Sequence, residues 1–266
     1  MTQSHLLIAQ EGGLARLTFN RPEARNALSP EMVEGLLAFF LRAESDPGIR
    51  CIVLEAAGKH FMAGGDIKSF ALMAQQEPQQ RRQAFEARIH KGSQIFAVMQ
   101  RIPQPVVCCV QGTVAGAGMG FVSAADLVIA ADNASFVMAY VSMGVSLDAG
   151  VSYHLPRAIG LKRAKAMALL AQPVDARTAA DHALVDRVVP LGDLAAECDR
   201  IARGLATGPS VAIGQIKSLM NQSLNRSLVD QLAAEAVGMG IVAATDDFIE
   251  GPQAFLDKRK PEFKGR

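Results

Sequence analysis

Two glycine-rich stretches and one aspartate have the residue types and spacing to do chemistry. Gly58–Ile67 (GKHFMAGGDI) and Gln111–Gly120 (QGTVAGAGMG) each follow a short apolar run and precede a helical pattern. Glycines at such turns let the backbone bend sharply and approach a bound group without side-chain obstruction. An N–H at the start of a helix attracts an anion through the helix dipole and its unpaired donors. Two such loops, giving one N–H each, fit the geometry that stabilises an oxyanion. The plainer alternatives are an ordinary strand-to-helix loop for the first and close helix packing by small residues for the second. A dinucleotide site does not fit: Phe121 and Ser123 stand where GxGxxG needs its last glycine, and no GK[ST] occurs.

The acid–base candidate is Asp148, in Met143–Gly150 (MGVSLDAG), ahead of a helical run Val151–Ile159. Aspartate is also a favoured helix N-cap, and that is the competing role. A cap can also face a cavity, so the two are compatible. For Asp66 a loop or cap role suffices, and Asp126 reads as a structural carboxylate before a buried strand. His60, His154 and His182 stand alone, without ligand spacing. Cys51, Cys108, Cys109 and Cys198 form no CxxC pair, and two of them lie inside the apolar run Val106–Val110. Neither a metal site nor a disulfide framework is expected.

The elements that must position these residues alternate in type. Leu14–Asn20, Cys51–Ala56, Val106–Val110, Leu127–Ala131 and Ser135–Met138 read as strands. Pro30–Ala43 reads as a helix, with Ser29 as N-cap and Pro30 at its first position. One long helical pattern spans Ile67–Arg101, and its Gln- and Arg-rich part, Ala74–Arg88, is expected to be mobile beside a pocket. After Asp186 the strand signals stop, and Leu194–Leu205, Ser210–Leu224, Val229–Ala244 and Asp246–Lys258 read as helices. The fold class is α/β, with a core over residues 1–205 and an all-helical region over 206–266.

Composition narrows the functional classes. The 266 residues are half hydrophobic and 20% charged, with a net charge of +1. That length suits one large domain with an appendage, and the balance gives no footprint for nucleic acid or an anionic membrane. Val106–Ala125 is uncharged and long enough to span a bilayer, but its polar residues and four glycines suit a buried strand, a turn and a helix. Met1–Gln10 lacks the features of a signal peptide, so a cytoplasmic location is expected.

The motifs, taken in order, resemble the crotonase (enoyl-CoA hydratase/isomerase) superfamily. Asn20–Leu28 (NRPEARNAL) resembles its NRP-x-x-x-NAL segment, and Phe61–Ile67 (FMAGGDI) its F-x-AG-x-D-[IL] loop. Pro105–Gly120, Ser123–Leu127 (SAADL), Thr245–Asp247 and Ala254–Phe263 follow in register over nearly the whole chain. The resemblance implies a spiral of ββα turns, with helices beyond it that assemble as trimers or dimers of trimers. It implies an acyl-CoA thioester as substrate and no cofactor, since coenzyme A enters as part of that substrate. It places the thioester oxygen between the N–H groups of Gly65 and Ala117. The family usually has glycine where Ala117 stands, but a backbone donor tolerates a methyl group. Arg25, Ala27, Ala63 and Ile67, with Asp66 beside them, would follow the coenzyme A. Lys260 and Phe263 would close over its adenine end, from their own or a neighbouring subunit.

The chain departs from the family where hydration is done. The two glutamates of typical hydratases are replaced in register by Gly120 and Tyr140. Gly120 has no side chain, and a tyrosine near its usual pKa of ~10 stays protonated at neutral pH. Several isomerases of the family, and its aroyl-CoA dehalogenase, carry their working aspartate at the position of Asp148. The leading expectation is therefore an enoyl-CoA isomerase with Asp148 as its one base, and with Tyr140 shaping the acyl pocket or hydrogen-bonding the substrate. The rivals are hydrolysis with Asp148 as nucleophile, hydration by another acid, and coenzyme A binding without chemistry.

Overall fold

The computed structural model describes residues 4–266. β1 (Leu6–Glu11) and β2 (Leu14–Phe19) form an antiparallel hairpin. Helix α1 (Pro30–Ala43) starts as its local signals require: the Met32 N–H donates to Ser29 Oγ at 3.2 Å, and Pro30 opens the first turn. After β3 (Cys51–Ala56), the stretch expected as one helix divides into α2 (Ile67–Ala74) and α3 (Pro78–Arg101). Pro78 explains the division, because proline lacks the N–H an interior turn needs but suits a first turn. The segment expected to be mobile is mostly helix.

Next come β4 (Val106–Val110), β5 (Thr113–Ala115) and α4 (Ala117–Ala124), then β6 (Leu127–Ala131), β7 (Ser135–Val137), α5 (Val151–Ile159) and α6 (Leu161–Leu170). β8 (Val174–Asp175), α7 (Ala176–Asp181) and β9 (Arg187–Val189) precede α8 (Leu194–Ala206), α9 (Ser210–Gln222), α10 (Leu228–Ala243) and α11 (Asp246–Leu256). β9 corrects the expectation that strands end near Asp186: it spans only Arg187–Val189, too short to show a period.

The strands sort into a larger sheet, ordered β1-β2-β3-β4-β6-β9, and a smaller one, ordered β5-β7-β8. From β2 to β9 the larger sheet is parallel. Two successive turns of chain give one strand to each sheet and then a helix, β4-β5-α4 and β6-β7-α5. The α/β spiral of ββα units is therefore present, with helices beyond it. Alternate residues of the parallel strands face opposite ways. Cys51, Val53, Val107, Cys109 and Ile129 pack under α8 with Leu194, Cys198 and Ala202. Ile52, Leu54, Cys108, Val110 and Val128 face a second core shared with α1, α3, α4 and α5. Both faces are covered, which explains the continuous apolar runs of these strands. Among the described residues no single helix is long and apolar enough to cross a membrane.

One buried ion pair fixes the helical C-terminal region to the sheet. Lys217 of α9 reaches Asp126 Oδ2 at 2.7 Å and the Gln104 carbonyl at 2.9 Å, and the same Asp126 oxygen accepts from the Val106 N–H at 2.7 Å. Asp126 is structural, as expected. Lys217→Met leaves a half-buried carboxylate without its cation, and should destabilise the chain by about 3–5 kcal/mol. Chemical denaturation checks this, and Lys217→Met combined with Asp126→Asn should recover part of the loss.

Candidate active site

The first glycine loop is held from beneath and from the side. Asn26 is fully buried; its Oδ1 accepts from the Arg21 N–H at 2.7 Å, and its Nδ2 donates to the carbonyls of Ala57 at 2.9 Å and His60 at 2.8 Å. Phe61 is also fully buried, with its ring 5.4 Å from Phe19, which lies 5.3 Å from Phe121 of α4. Each such aromatic pair adds about 0.5–1.5 kcal/mol beyond area burial. The loops then join backbone to backbone: Phe61 N–H to Gln111 O at 2.8 Å, Met62 N–H to Thr113 O at 3.2 Å, and Ala115 N–H to Met62 O at 2.8 Å. His60 assists through Nδ1, which accepts from the Thr113 N–H at 3.2 Å.

Gly64 and Gly116 also meet backbone to backbone. Gly116 has φ +49°, and a Cβ there would lie 3.0 Å from Gly64 Cα and 3.8 Å from Gly65 N. A side chain at Gly116 would press on the Gly64 backbone, which would have to give by a few tenths of an ångström, whereas at Gly64 (φ +106°) the obstacle is backbone strain rather than space. Beside this contact, the N–H groups of Gly65 and Ala117 have no protein acceptor among the described residues. Ala117 opens α4, so its N–H sits at the positive end of a helix dipole. Two preorganised backbone donors at adjacent loops are what a developing thioester oxyanion requires.

Asp148 lines the same cavities as Gly65 and Ala117 and does not cap a helix with its side chain. The residue before α5 is Gly150, with φ +70°, and no side chain caps that helix. Asp148 contributes only its carbonyl there, to the Val151 N–H at 3.1 Å. Its carboxylate accepts from the Tyr140 hydroxyl through Oδ1 at 2.7 Å, while Oδ2 has no protein donor among the described residues. Burial pushes the Asp148 carboxyl above the usual range, with the Tyr140 hydrogen bond and the charge of Arg88 pulling the other way. Burial and the neighbouring carboxylate both raise the pKa of Tyr140, which keeps its proton.

Two cavities share the walls Gly65, Phe70, Ile89, Ala117 and Asp148. The outer one holds about 740 Å³ and is also lined by Ala63, Ile67, Tyr140 and Leu147. The inner one holds about 110 Å³, between Leu28, Val33 and Phe96. The cavities bring together Gly65, Ala117, Asp148, Tyr140, Ala63 and Ile67. Arg25 and Ala27 lie outside both; Arg25 is exposed and offers its carbonyl to the Ala63 N–H at 3.0 Å. Asp66 caps α2 through the Lys68 N–H at 3.0 Å and pairs with Arg21 at 2.8 Å. Burial opposes its ionisation, but Arg21 outweighs this and holds its carboxyl below the usual range. Lys260 and Phe263 lie in the C-terminal tail, Phe263 against α11 beside Gly251, and line neither cavity of their own chain.

The place of a second acid is closed. A Cβ on Gly120 would meet Ala149 Cβ at 2.5 Å, Ala149 O at 2.7 Å and the Phe96 ring at 3.1 Å. One charged cavity-lining residue escaped the sequence: Arg88 of α3 lines the inner cavity with Asp148. In the sequence it is one of four arginines in a polar helix, and only the docking of α3 shows which of them faces the cavity.

Comparison with known proteins points to one family. The family model described as enoyl-CoA hydratase/isomerase matches residues 9–266. A Rhodobacter capsulatus protein named "Probable enoyl-CoA hydratase" is 38% identical over 254 residues, 96% of this chain and 95% of that one. The 1,2-epoxyphenylacetyl-CoA isomerase of Escherichia coli is 35% identical over 256 residues, covering 96% and 97%. The crystal structure of an enoyl-CoA hydratase from Polaromonas sp. JS666 superposes with a TM-score of 0.90 at 32% identity, covering 97% of this chain and 99% of that one. With the ββα spiral and the paired glycine loops, these matches place the chain in the enoyl-CoA hydratase/isomerase family, whose members act on acyl-CoA thioesters.

Proposed function

We propose that the chain shifts a carbon–carbon double bond in an enoyl-CoA, with Asp148 as its single base. The observation that carries this reading is a pairing of presence and absence. Asp148 shares both cavities with Gly65 and Ala117, while the side-chain space of Gly120 is filled by Ala149 and Phe96. In this reading the two N–H groups polarise the thioester carbonyl, so a nearby C–H becomes acidic. Each donor contributes about 3 kcal/mol toward the barrier. Asp148 Oδ2 takes the proton from one carbon and returns it to another, so no water is consumed. Tyr140, kept protonated, orients the carboxylate through its 2.7 Å hydrogen bond.

Ala63 and Ile67 then lie along the coenzyme A, and Lys260 and Phe263 reach its nucleotide end from a neighbouring subunit. The proposed assembly is a trimer or a dimer of trimers in the cytoplasm, with no cofactor beyond the substrate's own coenzyme A. Apolar side chains left exposed on α10 and α11 support assembly: Val229 is 76% exposed and Phe255 83%. Sedimentation giving a species near 28.3 kDa at micromolar concentration would exclude it.

The test of function is incubation with 2-enoyl-, 3-enoyl- and aroyl-CoA thioesters, read by mass spectrometry and chromatography. A shifted double bond at unchanged mass supports isomerisation; added water or freed coenzyme A contradicts it. The pH dependence follows from Asp148. A base must be ionised, and burial raises this carboxyl above its ordinary value. Thus kcat/KM should fall as pH drops through a midpoint above ~4. A profile flat down to pH 4 would remove Asp148 from the role.

A further inference from the structure

Arg88 stands on the site-facing side of α3 without an ion-pair partner. Its guanidinium lies 5.1 Å from the centre of the Phe70 ring, and Nη1 donates to Ser69 Oγ at 2.7 Å. Among the described residues, Nε and Nη2 have no protein acceptor and no carboxylate pairs with this cation. The other charges nearby are engaged: Asp66 holds Arg21 at 2.8 Å, and Lys91 holds Glu34 at 2.6 Å. Arg88 is half-buried, and loss of water disfavours its charged form. Across the same small, mostly apolar chamber stands Asp148, with Oδ2 open.

A chamber with a donor fork on one wall and an acceptor on another selects its occupant. A hydrocarbon group filling it strips both polar groups of water and returns no hydrogen bond, which is costly. A carboxylate matches the guanidinium but meets the charge of Asp148. A hydroxyl satisfies both walls, accepting from Arg88 and donating to Asp148. The volume, about 110 Å³, is smaller than the ~150 Å³ chamber that holds benzene, so the occupant is short.

We propose that Arg88 sets acyl specificity, so that the inner chamber takes a short acyl group bearing a neutral oxygen function, a hydroxyl above all. The proposal rests on the reading that the chain binds acyl-CoA thioesters. Isothermal titration of the full chain with 3-hydroxybutyryl-CoA, butyryl-CoA and succinyl-CoA tests both. The wild type should bind 3-hydroxybutyryl-CoA roughly 10- to 100-fold more tightly than butyryl-CoA, the scale of a hydrogen bond to a charged group. It should bind succinyl-CoA less tightly than the hydroxyacyl thioester. Arg88→Met should bring the hydroxybutyryl-to-butyryl ratio to about one, and Arg88→Lys should leave an intermediate ratio, because a point charge lacks the fork. A purely structural Arg88, bridging Ser69 and Phe70, predicts lower thermal stability with the ratio unmoved. A wild-type ratio near one, a ratio that survives Arg88→Met, or tighter binding of succinyl-CoA overturns the proposal. If none of the three thioesters binds, the acyl-CoA reading itself fails. Should Arg88→Met not fold, the wild-type ratio and Arg88→Lys still decide.

Discussion

Asp148→Asn should lower isomerase turnover by 10²- to 10⁴-fold, the usual contribution of a positioned general base. Binding of a substrate analogue should persist, because the Gly65 and Ala117 donors and both cavities are unaltered. The stability result separates this from a structural role. Burial raises the folded-state pKa of Asp148, so the folded chain prefers the protonated carboxyl. Stability from this group is therefore fully present below its unfolded pKa of ~3.9 and is lost as pH rises through the higher folded value. Asparagine is neutral throughout and still accepts from Tyr140. The variant's thermal midpoint at pH 7 should equal or exceed the wild type's, with a smaller difference near pH 4. A variant that unfolds earlier at pH 7 yet keeps its turnover would return Asp148 to a structural role.

Gly116→Ala should cost nearly as much activity by a different route. At φ +49° and ψ −118° a non-glycine residue is strained by about 1–3 kcal/mol. The new Cβ would lie 3.0 Å from Gly64 Cα, and the obstacle is backbone that cannot rotate away. The facing loop must give by a few tenths of an ångström, and the adjoining Gly65 donor moves with it. Losing one oxyanion donor lowers kcat by about 10²- to 10³-fold. Single-turnover kinetics beside thermal unfolding separates the two effects. Ala117→Gly, which keeps the N–H, is the control and should stay near wild-type turnover. Unchanged turnover in a folded Gly116→Ala variant would end the two-loop assignment.

What the sequence disclosed depended on how local each signal was. Ser29 and Pro30 announce α1 because cap and first turn lie within a few residues. β3 and β4 announce themselves because both faces are covered. β1 did not, since only Leu6 of its six residues is buried and the pattern does not alternate. β5, β8 and β9 are held by their neighbours in the sheets rather than by any period of their own. The donor loops were legible as glycine clusters, although the contact between Gly64 and Gly116 joins residues far apart in the chain. Asp148 was legible as an acid but not as the partner of Tyr140, because an aspartate before a helix looks like a cap. Arg88 was invisible: its meaning lies in which way α3 faces, and one arginine among four in a polar helix does not say.

That the proposed oxyanion donors belong to the main chain has a consequence for how the site tolerates mutation. Only proline deletes an N–H, so most substitutions at Gly65 or Ala117 perturb the donor without erasing it. Asp148 has no such protection, since nearly every substitution there removes the carboxylate in one step. In a saturation library the two functions should separate. Thioester capture should fade gradually across many positions, whereas proton transfer should vanish at one. A lineage that altered residue 148 or its neighbours would thus keep its hold on the substrate while its reaction changed.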